Sequence, residues 1–266
     1  MNTSRIAELL NPFLRAPIAG RGLRGPSNLS EAGKSDETRA GEQGASLSLM
    51  QLQHISTYID ILLRWNARIN LTAIRDPEEI VTRHFGESLF AARHMFPVSS
   101  SSLSSASSVA KDFEFPRTVA DVGSGAGFPG LPIKIWTPAI SLTLIESNHK
   151  KCTFLHEVAR ALTLTDINIQ NVRAETLTTT FDVATLRAVE CFESILPTAA
   201  ALVAPAGRLV LLISSNQQNE ARLRVPDLIW SDASPIPHSQ SRVVLVGYRS
   251  DTASRKLKVV QDDWIM

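Results

Sequence analysis

The hydrophobic pattern changes near residue 118, from helical spacing to alternating strand and helix signals. Before this point, Leu52, Ile55 and Ile59 recur at the spacing of an amphipathic helix. A further helix is predicted to begin at Asp76, because aspartate caps a first turn well and Pro77 suits the first helical position. The chain before residue 118 therefore predicts a small helical unit.

After residue 118, apolar runs typical of buried strands alternate with helical segments. Strands are predicted at 118–122, 141–145, 167–172, 181–186 and 208–213, helices at 130–136, 148–162 and 190–203, and a terminal antiparallel pair at 225–230 and 242–248. This alternation predicts an α/β, Rossmann-like fold, with a mostly parallel sheet and helices on both faces. Such sheets bind ligands outside the carboxyl ends of their strands.

Composition divides the chain into four segments. Residues 1–46 are rich in Gly, Ser, Arg and Pro and are predicted to be a flexible extension. Residues 47–97 form the helical unit, residues 98–117 are a serine-rich linker or insertion, and residues 118–266 are the α/β core. We expect no catalytic residue in the linker.

The loop after the first predicted strand carries a glycine at every second position. Residues 121–127 read Asp-Val-Gly-Ser-Gly-Ala-Gly, and residues 125–130 also match the dinucleotide pattern G-x-G-x-x-G. Glycine lets the backbone approach a nucleotide closely. Asp121 favours S-adenosylmethionine (SAM) over NAD, because a carboxylate attracts the cationic groups of SAM and repels a pyrophosphate. Asp121, Gly123 and Gly125 are therefore candidate cofactor contacts.

Polar residues follow the other predicted strands at the same rim. Glu146 ends the second strand, roughly 20 residues after the loop, where a carboxylate accepts hydrogen bonds from two ribose hydroxyls. Ala174 and Glu175 follow the third strand and are predicted to hold the adenine ring. Arg187 follows the fourth strand, where a methyl acceptor would approach, and its donors suit a phosphate or a guanine edge.

His84 and Lys151 are further candidate contacts with a substrate. Lys151 opens a helix and suits an RNA phosphate. His84 shares the apolar face of its helix, so a hydrogen-bonded core histidine is an equal alternative.

No residue is predicted to act as a base or nucleophile. The fourth strand is not followed by the Asn/Asp-Pro-Pro-aromatic run of exocyclic-amine methyltransferases, and Cys191 is interpreted as a buried structural cysteine. A ring nitrogen such as guanine N7 has a free lone pair, so its methylation needs only alignment with the methyl group. These features are consistent with that reaction.

Composition and charge limit the class of protein. The chain has 266 residues, 44% of them hydrophobic, and a net charge of +1, which is typical of a soluble globular protein without an overall charge for nucleic acid. No apolar run approaches the roughly 18 residues of a membrane span. The two cysteines lack metal spacing and the six histidines form no metal constellation. We expect a cytoplasmic monomer without a metal.

Several segments occur together in an order that methyltransferases in general do not share. They are Arg64-Trp65-Asn66-x3-Asn70-Leu71-Thr72-Ala73-Ile74, Arg83-His84-Phe85-x2-Ser88-Leu89, residues 121–130, Glu146-Ser147, Arg173-Ala174-Glu175 and Arg187-Ala188. Over roughly residues 50 to 215, the chain thereby resembles the ribosomal RNA small-subunit methyltransferase G family, also called the glucose-inhibited division protein B family.

The resemblance implies a class I SAM-dependent methyltransferase of bacterial cytoplasm. Its expected reaction is methylation of guanine N7 in 16S ribosomal RNA, in the loop around guanosine 527, with free RNA, the small subunit or a precursor particle as substrate. The positions that match the family's cofactor contacts are Gly123, Phe128, Ala174, Glu175 and Arg187, and Glu146 matches the acidic position after the second strand.

The chain also departs from the family. Residues 1–46 and the serine-rich insertion are extra, and Glu87 stands where an aspartate is usual. After the fifth strand, residues 213–216 read Ile-Ser-Ser-Asn in place of a Lys-Gly segment, which puts a substrate contact there in doubt.

Two alternatives remain open from the residues alone. One is a nicotinamide-dependent dehydrogenase that uses residues 125–130, although the chain lacks a plausible catalytic histidine or tyrosine–lysine pair after the core. The other is a non-catalytic RNA-binding factor that keeps the fold, for which the altered segment after the fifth strand leaves room.

Overall fold

The computed structural model describes residues 1–17, 46–96, 117–187 and 192–251. Most of the predicted flexible extension, nearly all of the serine-rich linker, and the residues Ala188 and Cys191 lie outside these ranges.

An eight-stranded sheet forms the centre of the protein. Its strands are β1 (Thr118–Val122), β2 (Ser141–Ile145), β3 (Ile167–Gln170), β4 (Phe181–Arg187), β5 (Val203–Ser214), β6 (Leu228–Trp230), β7 (Ser234–Pro235) and β8 (Arg242–Arg249). Strands β3, β2, β1, β4 and β5 lie side by side in that order and are parallel. Beyond β5, β8 is antiparallel and pairs with β6 and β7. The predicted α/β class and the terminal antiparallel pair are confirmed.

Eight α-helices pack around the sheet in the described ranges. They are α1 (Thr3–Arg15), α2 (Leu49–Asn66), α3 (Pro77–Glu79), α4 (Glu87–Met95), α5 (Gly130–Trp136), α6 (His149–Ala161), α7 (Phe192–Ala201) and α8 (Gln218–Arg224). Four of them (α1, α2, α3 and α6) begin at a side chain that caps the first turn. Ser48 and Gln51 form a reciprocal capping box at α2. Asp76 caps α3 as predicted, by accepting a hydrogen bond from the amide of Glu79 at 2.8 Å.

The helix that begins at α3 changes its winding before it reaches α4. Residues Ile80–Gly86 between them are π-helical. Such segments are rare and frequently occur at functional sites. This one carries Arg83, His84 and Phe85, and periodicity alone predicted an uninterrupted α-helix there.

Strand β5 begins five residues before its predicted start at residue 208. Phe181 of β4 pairs with Val203, and the register then shifts between Phe181 and Val183. Ala206 has a φ of 60° in the same stretch. An irregularity of this kind lets the strand contain Pro205, a residue that is more typical of a turn.

Helix α1 differs from the prediction that residues 1–46 form a flexible extension. Its apolar face is fully packed, with Ile6, Leu10 and Phe13 at most 1% exposed. Arg93 of α4 donates hydrogen bonds to the carbonyls of Phe13 and Ala16, which caps the carboxyl end of α1. Sequence analysis predicts at most one turn of helix here, at residues 8–14, because Pro12 interrupts the pattern and the polar composition of later residues dominates the window.

The helical unit and the sheet share one core. Alternate residues of the strands face opposite sides, so Val119 of β1 belongs to the core that also contains residues of α1, α2, α4, α5 and α6. Ala120 belongs to the core on the other face, which contains residues of α7 and α8. The predicted boundary between residues 47–97 and the α/β core is therefore not a boundary in packing.

We expect Phe13→Ala to lower the free energy of unfolding by about 3–5 kcal/mol, because it empties a fully buried aromatic site. Asn11→Ala, at an exposed position of the same helix, is the control and should change it by less than about 0.5 kcal/mol. Urea unfolding followed by circular dichroism measures both. Equal stabilities of the two variants would mean that α1 does not pack on the fold in solution.

Candidate functional site

The glycine loop connects β1 to α5 at the carboxyl edge of the sheet. Gly123, Gly125 and Gly127 have φ values of 69°, 55° and 84°, which other residues adopt only at a cost. The amides of Gly123 and Ser124 donate to the carbonyl of Ile145 at the end of β2, at 2.9 and 3.0 Å. The loop is therefore fixed to two neighbouring strands.

Glu146 directly follows β2 and lies against this loop. Its Oε2 accepts a hydrogen bond from the amide of Gly125 at 2.9 Å, and its Oε1 accepts one from the amide of Asn148 at 2.7 Å. Each carboxylate oxygen keeps a further lone pair, so the group can still accept hydrogen bonds from two ligand hydroxyls.

The loop is open at Gly125 and closed at Gly127. A Cβ built on Gly125 would meet only the carbonyl oxygen of Gly123, at 3.8 Å, whereas one on Gly127 would lie 2.5 Å from the hydroxyl of Tyr58. The open side forms a cradle next to Glu146. A ligand with ribose hydroxyls that lies close to the backbone fits this cradle, and SAM meets both conditions.

Asp121 supports the loop from beneath. Its side chain is 1% exposed. Its Oδ2 accepts from the amide of Gly130 at 3.1 Å, and its Oδ1 accepts from the hydroxyl of Thr185 on β4 at 2.7 Å. Burial raises the pKa of Asp121 to about 6, although these two donors oppose the rise. Sequence analysis expects Asp121 to attract the cationic groups of SAM. In the structure, both oxygens of its carboxylate accept hydrogen bonds from the loop and from β4.

The helical unit clamps the loop through Phe128. The ring of Phe128 stacks on Tyr58 at 5.2 Å and on His84 at 4.7 Å, between centroids, and Phe85 contacts it edge-on. The hydroxyl of Tyr58 also donates to the carbonyl of Ala126. The Phe128 side chain is thus part of the core, at 8% exposure, and its contact with a cofactor stays a prediction.

His84 has both ring nitrogens engaged. Nη2 of Arg187 lies 3.2 Å from Nδ1, and because a guanidinium only donates, the proton of His84 is on Nε2. Nε2 donates to the hydroxyl of Thr72 at 2.8 Å. Burial, aided by Arg187, Arg83 and Arg242, lowers the pKa of His84 to about 3, so the ring is neutral. The residue predicted as a substrate contact therefore holds Arg187.

The buried carboxylate of Glu87 pairs with three arginines. Its oxygens lie 3.2 Å from Nη2 of Arg187 and 3.6 Å from Nε of Arg83, and Arg242 of β8 donates to it. The side chains of Glu87 and Arg187 are 3% and 9% exposed. Burial raises the pKa of Glu87, although the three guanidiniums oppose the rise. We call these four residues the Glu87 cluster, and it retains excess positive charge.

The Trp65–Ile74 motif has a structural explanation. The amide side chain of Asn66 donates to the carbonyl of Thr72 and accepts from the amides of Leu71 and Thr72, which shapes the connection after α2. This presents the Thr72 hydroxyl to His84. Nε1 of Trp65 donates to Glu157 of α6 at 2.9 Å. The motif therefore ties the helical unit to the helix that follows Glu146.

The other predicted site residues lie at the same rim without polar side-chain contacts. Ala174 is buried at the start of a 3₁₀ turn (Ala174–Thr176), Glu175 is exposed in that turn, and Lys151 is half-buried in the first turn of α6. Neither Glu175 nor Lys151 forms a side-chain hydrogen bond or ion pair within the described ranges. Their contact with a ligand stays a prediction.

Sequence analysis missed three residues that shape the site. Tyr58 lies on the predicted apolar face of α2, so the spacing of apolar residues could have predicted that it is buried. Thr185 lies in a predicted strand without any signal for its bond to Asp121. Arg242 had no local signal, because it reaches Glu87 from the far end of the chain.

In the part of the chain that the structure covers, no group of three or more His, Cys, Asp or Glu side chains is placed to hold a metal ion. None of the helices described there combines the length and apolar character needed to cross a membrane.

A family model and curated relatives that match the chain carry the same name. A family model described as rRNA small subunit methyltransferase G matches residues 51–236. The Bacillus subtilis protein called Ribosomal RNA small subunit methyltransferase G is 35% identical over 185 residues, or 67% of this chain and 71% of that protein. A Xylella fastidiosa protein of the same name is 34% identical over 181 residues, or 67% and 76%. A solved structure of ribosomal protein L11 methylase from Lactobacillus delbrueckii subsp. bulgaricus has a TM-score of 0.49 and 16% identity, covering 63% of this chain and 79% of that one.

We expect Glu87→Gln to lower the free energy of unfolding by about 3–5 kcal/mol, because it leaves the buried guanidinium of Arg187 without a counter-charge. Glu79→Gln is a matched control, since Glu79 also pairs with Arg83, at 3.3 Å, but on the surface. It should cost less than about 1 kcal/mol. Urea titration compares the two, and equal losses would contradict the proposed dependence on burial.

Asp121 should give the protein a measurable pH dependence. Its pKa is raised in the folded state from 3.8 to about 6, so binding of a proton to Asp121 stabilises the folded state. This stabilisation is complete below pH 3.8 and is lost as the pH rises through 6. Relative to Asp121→Asn, the wild type should lose about 1 kcal/mol per pH unit between pH 4 and 6. Unfolding free energies of both proteins at several pH values test this, and a constant difference between them would refute it.

Proposed function

The chain belongs to the rRNA small subunit methyltransferase G family, and on this premise we propose that it transfers the methyl group of SAM to N7 of a guanine in 16S ribosomal RNA. The family model matches residues 51–236, which is most of the chain.

The proposal rests on the position of Arg187, a buried arginine that lies at the end of the strand next to the one that leads into the glycine loop. The register of β1 and β4 pairs Val122 with Leu186, so Gly123 and Arg187 follow neighbouring strand ends. Nη2 of Arg187 serves Glu87, His84 and the carbonyl of Arg83. Its Nε and Nη1 donate to no group in the described part of the chain, so they suit an acceptor phosphate or base edge.

When bound, SAM supplies an electrophilic methyl group. We assign to Glu146 the ribose hydroxyls, to residues 174–175 the adenine ring, and to the main chain at Gly123 and Gly125 the close approach that the cofactor needs. Guanine N7 carries a lone pair and no proton, so no side chain has to remove one. The task of the chain is then to align the two reactants and exclude water, with Arg187 orienting the acceptor.

We also propose the target, the substrate, the oligomeric state and the location of the enzyme. They are the loop around guanosine 527 as the target, the small subunit or its precursor as an alternative to free RNA, a monomeric enzyme, and the bacterial cytoplasm as its place of action. Lys151, in the first turn of α6, is assigned to an RNA phosphate.

The test is mass spectrometry of nucleosides from 16S RNA and from small subunits, each incubated with the protein and SAM. We expect one 7-methylguanosine per RNA. Glu146→Gln should weaken SAM binding in calorimetry by about tenfold or more, because it removes an ionised acceptor for a hydroxyl. Asp227→Asn, an exposed acid away from the rim, is the control and should bind as the wild type does.

Two results would count against the proposal in different ways. If the wild type does not bind SAM, the cofactor assignment fails. If it binds SAM and RNA yet forms no 7-methylguanosine on either substrate, the protein is a non-catalytic RNA-binding factor with this fold.

A further inference from the structure

A cavity of about 640 Å³ opens at the carboxyl ends of β4 and β5. It is lined by Phe192, Glu193, Ser194, Asn216, Gln217 and Glu220. The first three begin α7, which follows β4, and the last three follow β5. Because Arg187 pairs in register with Leu212, both strands end at the rim that carries the cradle. The cavity therefore lies on the side from which an acceptor enters.

The walls of this cavity are held in place. Arg224 donates to Glu193 at 2.8 Å and also to Glu220, so it joins α7 to α8. The side chain of Gln217 accepts from the amide of Ser214 at 3.0 Å within a reciprocal capping box. Arg224 thus connects two sides of the cavity, through a side chain that is 42% exposed and, at Glu193, one that is 67% exposed.

The charge of the lining selects the kind of ligand. Glu193 and Glu220 are carboxylates that share one counter-charge, the Arg224 guanidinium, so the pair keeps a net negative charge. A phosphate would be repelled here, whereas the Glu87 cluster on the other side of Arg187 is cationic. A planar heterocycle with hydrogen-bond donors on its edge fits the cavity, because Phe192 offers a stacking surface and the carboxylates accept.

We propose that this cavity receives the guanine base that the enzyme methylates, with its ring against Phe192 and its N1–H and N2–H donating to Glu193. The inference rests on the proposed function. Oε2 of Glu193 takes Arg224, and Oε1 forms no hydrogen bond within the described residues. Adenine carries an acceptor at N1 and lacks the 2-amino group, so a carboxylate at this place rejects adenine and selects guanine.

The same carboxylates suit the charge that the reaction creates. The bond from N7 to the methyl carbon forms as the carbon–sulfur bond breaks, and the electron pair of that bond stays on sulfur. Positive charge passes from sulfur to the guanine ring, and no proton is transferred. A ring that becomes cationic is stabilised by nearby carboxylates and would be disfavoured by a lysine. Residues 213–216 of this chain contain no lysine.

The experiment pairs a protein variant with a substrate variant. A ligated 16S RNA carries inosine, which lacks the 2-amino group, at the methylated position, and kcat/KM is measured for guanine and inosine substrates. With the wild type, inosine should be about tenfold worse, the loss of one hydrogen bond to a charged acceptor. With Glu193→Gln, the guanine substrate should be slower and its advantage over inosine should fall to about threefold, since the neutral amide oxygen still accepts a hydrogen bond but the charge is gone.

Two further measurements separate this role from a structural one. SAM affinity and the urea midpoint of Glu193→Gln should match those of the wild type, and Phe192→Leu should raise KM for RNA about tenfold through lost stacking. Asp227→Asn should keep the wild-type preference for guanine over inosine. If Glu193→Gln also keeps that preference, the inference is wrong while the proposed function stands. If the wild type methylates no guanine, both fail.

Discussion

The stacking of Phe128 between Tyr58 and His84 is the interaction on which the rest of the site depends. Glycines at positive φ make the loop possible, but they do not hold it in one shape, because glycine has more conformational freedom to lose than any other residue. The two rings supply that restraint from the helical unit. Since His84 also accepts a hydrogen bond from Arg187, the same contact fixes both the cofactor loop and the acceptor side.

Electrostatics divides the rim into two zones on either side of Arg187. The Glu87 cluster places three guanidiniums around one carboxylate, so its excess charge is positive and partly desolvated. The cavity beyond β4 and β5 carries carboxylates instead. A nucleotide has both kinds of group, an anionic backbone and a base edge with donors. The proposed binding of a nucleotide would use both zones, although the net charge of the whole chain is only +1.

The strands, the loop and most helices were predictable because their signals are local. Apolar periodicity, the capping aspartate at Asp76 and the alternating glycines act within a few residues of the structure they specify. Most of helix α1 was not predicted because Pro12 breaks its hydrophobic pattern. The π-helical turn was not predicted because hydrophobic spacing carries no signal for that winding. The placement of Glu146 beside the loop followed from a general rule of parallel sheets.

The sequence by itself determined the fold class, the loop and its acidic neighbour, and the motifs that carry the family resemblance. Only the tertiary structure decided what these residues do to one another. Arg187 meets Glu87 across 100 positions of chain, and Asp121 meets Thr185 across 64. Such contacts leave no periodic trace, since they depend on which strands become neighbours. That is why the sequence did not reveal that His84 contacts Arg187 or that Asp121 joins the glycine loop to β4.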